Sequence, residues 1–246
     1  MTFCVGAWFV AQAGPAAGAE FAAAAQRAFQ TAQGQYKNDG GKPATACQFA
    51  RACFDLAEFA TNNSERADLA QQGMQACQQA LNKEPKSALA HYYLAMNLGQ
   101  LARTKSLGAL RLVSRMEREF SLARDLDERI DYAGPDRSLG LLYRDAPSIG
   151  SIGSRTKSRQ HLQRALELVS NYPENHLNLV ETYLKWGERN SASRELKTLE
   201  EQLPAARAEL AGPVWASSWA DWDQRLTKVK KEIEEPLKPL ESPRQK

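Results

Sequence analysis

Residues 173–204, PENHLNLVETYLKWGERNSASRELKTLEEQLP, decide how this chain folds. Leu179, Val180 and Tyr183 stand at the seventh, eighth and eleventh places of a helical hairpin repeat, Ala192 at the twentieth and Pro204 at the thirty-second. Leu199 takes the twenty-seventh place, where Ala is usual. The physical reason for such a pattern is close packing. Small residues let the second helix approach the first, and a Pro ends the second helix.

The pattern extends upstream. SRQHLQRALELVSNYP, from residue 158, puts Ser158 at the twentieth place and Ala165 at the twenty-seventh, with Ser170 where Pro is usual. GMQACQQALNKEP, from residue 73, spaces Gly73, Ala80 and Pro85 by seven and five. KSALAHYYLAMNLGQLA follows and places Leu94 and Ala95 at the seventh and eighth positions of the next unit. A helix expected over about 107–130 lacks the small residues, so that unit is degenerate. These spacings are those of the tetratricopeptide (TPR) repeat. They predict an all-α, TPR-like α-solenoid of antiparallel helix hairpins over residues 44–212.

The flanks read differently. Trp215, Trp219, Trp222, Leu226, Val229 and Ile233 are spaced four, three, four, three, four, which puts them on one helical face. They predict a C-terminal capping helix over 213–235, since solenoids need terminal caps. The sharper alternative is a seam for a partner helix or a homo-oligomer. Residues 236–246 are Pro-rich and charged, and are expected to be disordered. At the other end the first 20 residues carry no basic residue, and Glu20 is their one charge. The run Phe3–Ala13 is apolar but too short to span a bilayer. Ala17-Gly18-Ala19 offers the small residues of a signal-peptidase site, so residues 1–19 read as a signal peptide and 20–43 as an N-terminal segment. The expected location is periplasmic or secreted.

Composition narrows the function. Hydrophobic residues make up 43% and charged residues 25% of the 246, and the 32 basic and 29 acidic residues are mixed along the chain. No basic block exists, so nucleic acid has no footprint and is not an expected partner. No CxxC pair exists and the three His are far apart in sequence, which leaves zinc unsupported. Helices over about 44–60 and 64–82, turning at Asn62-Asn63, bring Cys47 opposite Cys77. That pair is the disulfide candidate in an oxidising compartment, the alternative being buried thiols acting as small apolar residues.

One stretch interrupts the helices: GPDRSLGLLYRDAPSIGSIGSRTKSRQHLQRAL, residues 134–166. A P-loop needs Gly-Lys-Ser/Thr, and here Thr156 precedes Lys157-Ser158. A serine nucleophile elbow needs G-x-S-x-G between strand and helix, and SIGSIGS lacks that frame. A helix N-terminus beside Arg155 and Lys157 could hold an anion. The structural reading fits better. Leu139, Leu142 and Tyr143 form the face of a short helix that Pro147 ends, Gly150 and Gly153 make a flexible link, and Ser154 caps the next helix.

The same stretch, through TYLKWGE at residue 188, resembles the T-component family of TRAP-transporter-associated proteins (TatT). That family shows a Gly-x-x-Arg-x-x-Gly helix, a Pro-containing loop and a TPR helix near YPENH. Here Gly134, Arg137, Gly140, Tyr143 and Pro147 match, while Gly153-Ser154 stands where the family often has Gly-Asp. The resemblance is strongest over about residues 85–205. It implies a secreted or periplasmic, often lipid-anchored, helical protein that partners a substrate-binding protein.

Two functions therefore compete. The first is a non-enzymatic scaffold of the cell envelope, accessory to a TRAP-type uptake system, with no cofactor. Its partner would be a protein, a periplasmic solute-binding protein in the finer reading. The partner would dock in a groove lined by Tyr92, Met96, Leu177, Asn178, Glu181 and Lys185. The second is a carrier of a small apolar ligand, with Tyr92, Tyr93, Tyr143 and Trp186 lining a cavity. From its place in the matched motif, Arg137 is expected to be buried or semi-buried and to tie its short helix to a neighbouring carboxylate, Glu167 or Asp131.

Overall fold

The computed structural model describes residues 15–39, 42–105 and 108–235. The helices are α1 (Pro15–Asn38), α2 (Pro43–Ala57), α3 (Asn63–Lys83), α4 (Ala88–Arg103), α5 (Ala109–Leu126), α6 (Ile130–Asp145), α7 (Arg155–Leu168), α8 (Pro173–Lys185), α9 (Arg189–Glu209) and α10 (Ala216–Glu234). A 3-10 turn, Pro213–Trp215, leads into α10. Among the described residues there is no strand. Four hairpins, α2–α3, α4–α5, α6–α7 and α8–α9, stack in chain order. Helix α1 lies on α2, and α10 lies on α8 and α9.

Local chemistry sets the boundaries. Pro43 opens α2, where a missing N–H costs nothing. Asn62 caps α3 by accepting from the Glu65 N–H, and the Glu65 carboxylate reaches back to accept the N–H of Thr61, the residue before the cap, at 2.9 Å. Ser154 caps α7 as its sequence suggests, accepting from the Lys157 N–H. The helix expected over about 107–130 is shorter. Gly108, at φ +84, precedes α5, and the chain leaves the helix at Asp127, whose carboxylate accepts the Arg129 N–H. The proposed cleavage after Ala19 falls within α1. Residues 1–14, Gly40, Gly41 and the 236–246 tail lie outside the described residues.

Two apolar cores meet at α6. One joins α1 to α6 and contains Phe49, Phe54, Leu94, Phe120, Leu139 and Leu142. The other runs from α6 to α10 and contains Leu141, Leu162, Leu177, Leu179, Leu199 and Trp222. Hairpin α6–α7 shows why small residues recur. A Cβ on Gly140 would lie 2.6 Å from Leu162 Cγ and 3.1 Å from the Leu162 backbone nitrogen. Gly140→Ala is therefore expected to cost about 1–3 kcal/mol in urea unfolding, although Ala has the higher helix propensity. A neutral or stabilising result would show that the helices can part without loss.

Two expectations are corrected here. The Cys47–Cys77 bridge is not formed: Cys47, Cys53 and Cys77 are free, buried thiols. Burial pushes the Cys47 thiol up to about 11 and the Cys53 thiol up to about 12, and holds Cys77 well above its ordinary value. They fill the α2–α3 interface as small apolar groups. The Gly/Ser link is also not a free spacer. The Gly153 N–H donates to the Pro147 carbonyl and the Ser154 N–H to the Tyr143 carbonyl, both at 2.9 Å, so the turn folds back on α6.

Candidate functional site

The joint between the two cores is a polar corner at the start of α6. Asp131, Tyr132 and Ala133 all adopt left-handed backbone, with φ of 50, 57 and 62. Each costs about 1–2 kcal/mol for an L-residue, so the surroundings must hold them. Arg137, one helical turn later, does so. Its Nη1 donates to the Tyr132 carbonyl at 2.9 Å and to Asn175 Oδ1 at 3.1 Å. Its Nη2 donates to the Asp131 carbonyl and to Asp131 Oδ2, both at 3.0 Å. Glu174 Oε1 lies 3.9 Å from Nε. The guanidinium also stacks over Tyr172, 5.3 Å from the ring centroid, and Tyr132 lies parallel to Tyr172 at 4.4 Å.

The neighbouring hairpins complete the corner. Tyr92 from α4 donates its hydroxyl to Asp131 Oδ2 at 2.7 Å. Gly134 makes room for it, since a Cβ there would lie 2.6 Å from the Tyr92 oxygen. Asn175 from α8 donates to the carbonyls of Tyr132, Ala165 and Val169. Burial raises the Tyr92 phenol well above its ordinary value, and the Asp131 carboxylate adds to it. Burial also pushes Glu174 up, against the pull of Arg137. Arg137 is only 5% exposed, as expected, and of its two suggested partners the structure selects Asp131. Glu167 pairs with Arg164 instead.

The expected groove is filled. Tyr92 is 1% exposed, Met96 7% and Asn178 3%, and Leu177 is equally buried. Helix α6 lies on α4, where Ser138 Oγ meets Met96 Sδ at 3.9 Å. Helix α10 covers α8: Arg225 donates to Asn178 Oδ1 at 2.6 Å and to both Glu181 oxygens at 2.8 and 3.0 Å. Tyr143 donates to Glu117 at 2.6 Å. Lys185 remains exposed and is paired with Asp145 at 2.5 Å. The first helices of the later hairpins thus pack on one another rather than line an open channel. Among the described residues it is α2 that keeps a wet stripe, Ala44, Gln48, Arg51 and Asp55, with Arg51 and Asp55 3.7 Å apart.

Nor do the four aromatic residues expected around a ligand share a cavity. Tyr92 and Tyr93 touch each other in the first core, Tyr143 stacks on His161, and Trp186 carries the guanidinium groups of Arg155 and Arg159. Lys157 lies over the Tyr143 ring, so both cations beside the Gly/Ser turn are held on aromatic faces. The partly open pocket between α2, α4 and α5, lined by Phe54, Met96, Met116 and Phe120 with Glu58 and Arg103, holds about 10 Å³, room for a single water. An open cleft of about 790 Å³ lies between the α5–α6 turn and α7, with Arg124, Arg129, Arg164, Asp127, Asp136 and His161 in its walls. No group of three or more His, Cys, Asp or Glu suited to a metal occurs among the described residues. No described helix is long and apolar enough to cross a membrane.

The matched family motif singled out Arg137 but not its carbonyl partners, Asn175 or Arg225. Nothing in a run such as RIDYAGPDR marks three successive left-handed residues, although Gly134 and Pro135 beside them are a turn signal.

The stacked hairpins, the small-residue contacts between their helices and the sealing α10 define a TPR-like α-solenoid. The solved structure of TTC0263, a thermophilic TPR protein in Thermus thermophilus, is similar, with a TM-score of 0.64. The match has 18% identity and covers 84% of this chain and 91% of that one. A family model described as RMD1-3, regulator of microtubule dynamics protein 1-3, matches residues 17–112, which span α2, α3 and α4 with most of α1 and the first turn of α5. No curated protein matches the chain.

Proposed function

We propose that the protein is a non-enzymatic scaffold that binds a protein partner through the solvated edge of its helical stack. The observation that carries this reading is the solenoid itself, together with its interior. The polar groups of the Arg137 corner and of Arg225 hold helices together, and Tyr92, Tyr93, Tyr143 and Trp186 enclose no common space. What remains for recognition is surface. The stripe of Gln48, Arg51 and Asp55 on α2 is first-helix face that stays in water, the position from which repeat proteins of this kind bind.

The finer reading is an envelope protein, periplasmic or secreted, accessory to a TRAP-type uptake system through a solute-binding protein. The small-residue leader and the matched residues Gly134, Arg137 and Gly140 support it. A second reading is favoured by the family match over residues 17–112, which includes the α2 stripe: a partner of the microtubule cytoskeleton. One experiment separates them. The full chain is tested for binding to a purified solute-binding protein, and for co-sedimentation with polymerised tubulin. The double exchange of Arg51→Asp with Asp55→Arg keeps the pair and inverts its order on the helix. It is expected to weaken the true complex about tenfold or more at unchanged stability, since it exchanges a matched charge pattern for a mismatched one. Failure to bind either probe removes both finer readings, and an unaffected affinity removes the α2 stripe.

A further inference from the structure

One contact recurs in three successive hairpins. Three residues before the buried Leu94, Leu139 and Leu179 stand His91, Asp136 and His176. Three residues after Met116, Ser158 and Ala192, on the second helix of each hairpin, stand Glu119, His161 and Glu195. Each pair is joined: His91 Nδ1 lies 2.7 Å from Glu119, His161 Nδ1 2.7 Å from Asp136, and His176 Nδ1 2.5 Å from Glu195. The middle pair carries its imidazole on the opposite helix, so the repeat keeps the chemistry of the contact rather than the residue at each place. The contact is a histidine–carboxylate pin between the two helices.

The second ring nitrogen is also bonded in two of the pins, most closely at His176. At His176, Nε2 lies 2.6 Å from the Ser170 carbonyl and 3.2 Å from Gln202 Oε1. A neutral imidazole has one N–H and one lone pair. With a carboxylate at one nitrogen and a backbone carbonyl at the other, a neutral ring must present a lone pair to an acceptor in a buried site. The imidazolium donates to both. His91 has the same two kinds of contact, to Glu119 and to the Pro85 carbonyl at 3.1 Å.

We infer that the α8–α9 hairpin is fastened by a protonated His176, which bonds the α7–α8 turn and α9 together and releases one of them when the ring loses its proton. Glu195 on α9 is the charged group that faces the ring, with Gln202 beside it, and the preceding turn contributes the Ser170 carbonyl. The cations of the other elements packed on α8 are engaged elsewhere: Arg137 of α6 with Asn175 and Glu174, Arg225 of α10 with Asn178 and Glu181. Burial alone would lower the pKa of His176. The bonds to Glu195 and Ser170 outweigh it, and the net direction is upward. A histidine whose folded pKa is raised contributes stability that is full below its unfolded value and is lost as pH rises through the folded one. The hairpin is thus tightest in mild acid and loosens on the alkaline side of about pH 6.5.

The test is ring-proton NMR and urea unfolding of the full chain between about pH 6 and about pH 9, for wild type, His176→Gln and Glu195→Gln. The His176 ring is expected to keep its imidazolium chemical shift above about pH 6.5, and Glu195→Gln to move that titration toward acid. The wild-type urea midpoint should fall across the range more steeply than that of His176→Gln. A His176 ring already neutral at about pH 6, or wild-type and His176→Gln curves that run parallel, would overturn the inference. If His176→Gln does not fold, the titrations of wild type and Glu195→Gln decide alone.

Discussion

Arg137→Ala should lower the unfolding free energy by about 3–5 kcal/mol, the largest loss expected of any polar substitution in the chain. The arginine is buried, and its removal strands several groups at once. Asp131 loses its cation, Glu174 loses the charge that tempers its burial, the Asp131 carbonyl loses the Arg137 donor, and the Tyr132 carbonyl is left with Asn175. Those carbonyls belong to left-handed residues that carry their own strain, which the bonds from Tyr92 and Asn175 must then hold without the guanidinium. Arg137→Lys is the informative partner. A single ammonium cannot serve Asp131, Tyr132 and Asn175 together, and it should recover less than half of the loss. Urea unfolding of the three proteins reads this directly. An Arg137→Ala variant within about 1 kcal/mol of wild type would mean that the corner is held by its aromatic stack instead.

The second large effect is expected at the other end of the stack. Trp222 is fully buried, with Trp219 at 4.9 Å and Tyr172 at 5.3 Å, each nearly perpendicular, and Trp215 at 6.1 Å. Trp222→Ala should cost about 3–5 kcal/mol through lost contact and a residual cavity. The loss should be local as well as global. Amide exchange in α10 and at Asn178 and Glu181, which Arg225 holds, should quicken more than in α2–α5. The indole nitrogen of Trp222 is buried without a hydrogen-bond partner among the described residues. Trp222→Phe discards that unbonded donor along with some volume, and it should therefore cost clearly less than Ala. Uniform exchange across all helices in Trp222→Ala would show that the cap and the hairpins unfold as one unit, and would remove the idea of a separable cap.

The architecture was legible because the repeat is written in residues that act locally. Gly73 sits against Asn97 of α4 and Ala192 is fully buried in its hairpin, so spacing along the chain reports spacing in space, whereas Pro204 does not end its helix, since α9 runs on to Glu209. The tryptophan stripe was legible for the same reason, since one face of α10 carries Trp219, Trp222, Leu226, Val229 and Ile233, although Trp215 ends the 3-10 turn before it. The groove was not. Tyr92, Met96 and Asn178 are buried between helices, and the repeat frame carries no information on how sharply the stack curls. The left-handed residues 131–133 lay α6 directly on α4, and that decision rests on Arg137 and Asn175, which are 38 residues apart. The disulfide expectation failed on a different point. Hairpin register places Cys47 and Cys77 on the shared interface, but register says nothing of whether two thiols join or simply pack.

The cap has a consequence for how such molecules associate. Helix α10 turns its tryptophans inward and presents Gln224, Thr227, Lys228, Lys231 and Glu232 to water. Another copy arriving head-to-tail at that end would find charge where a repeat needs an oily seat, so growth into open fibres is blocked there by composition rather than by shape.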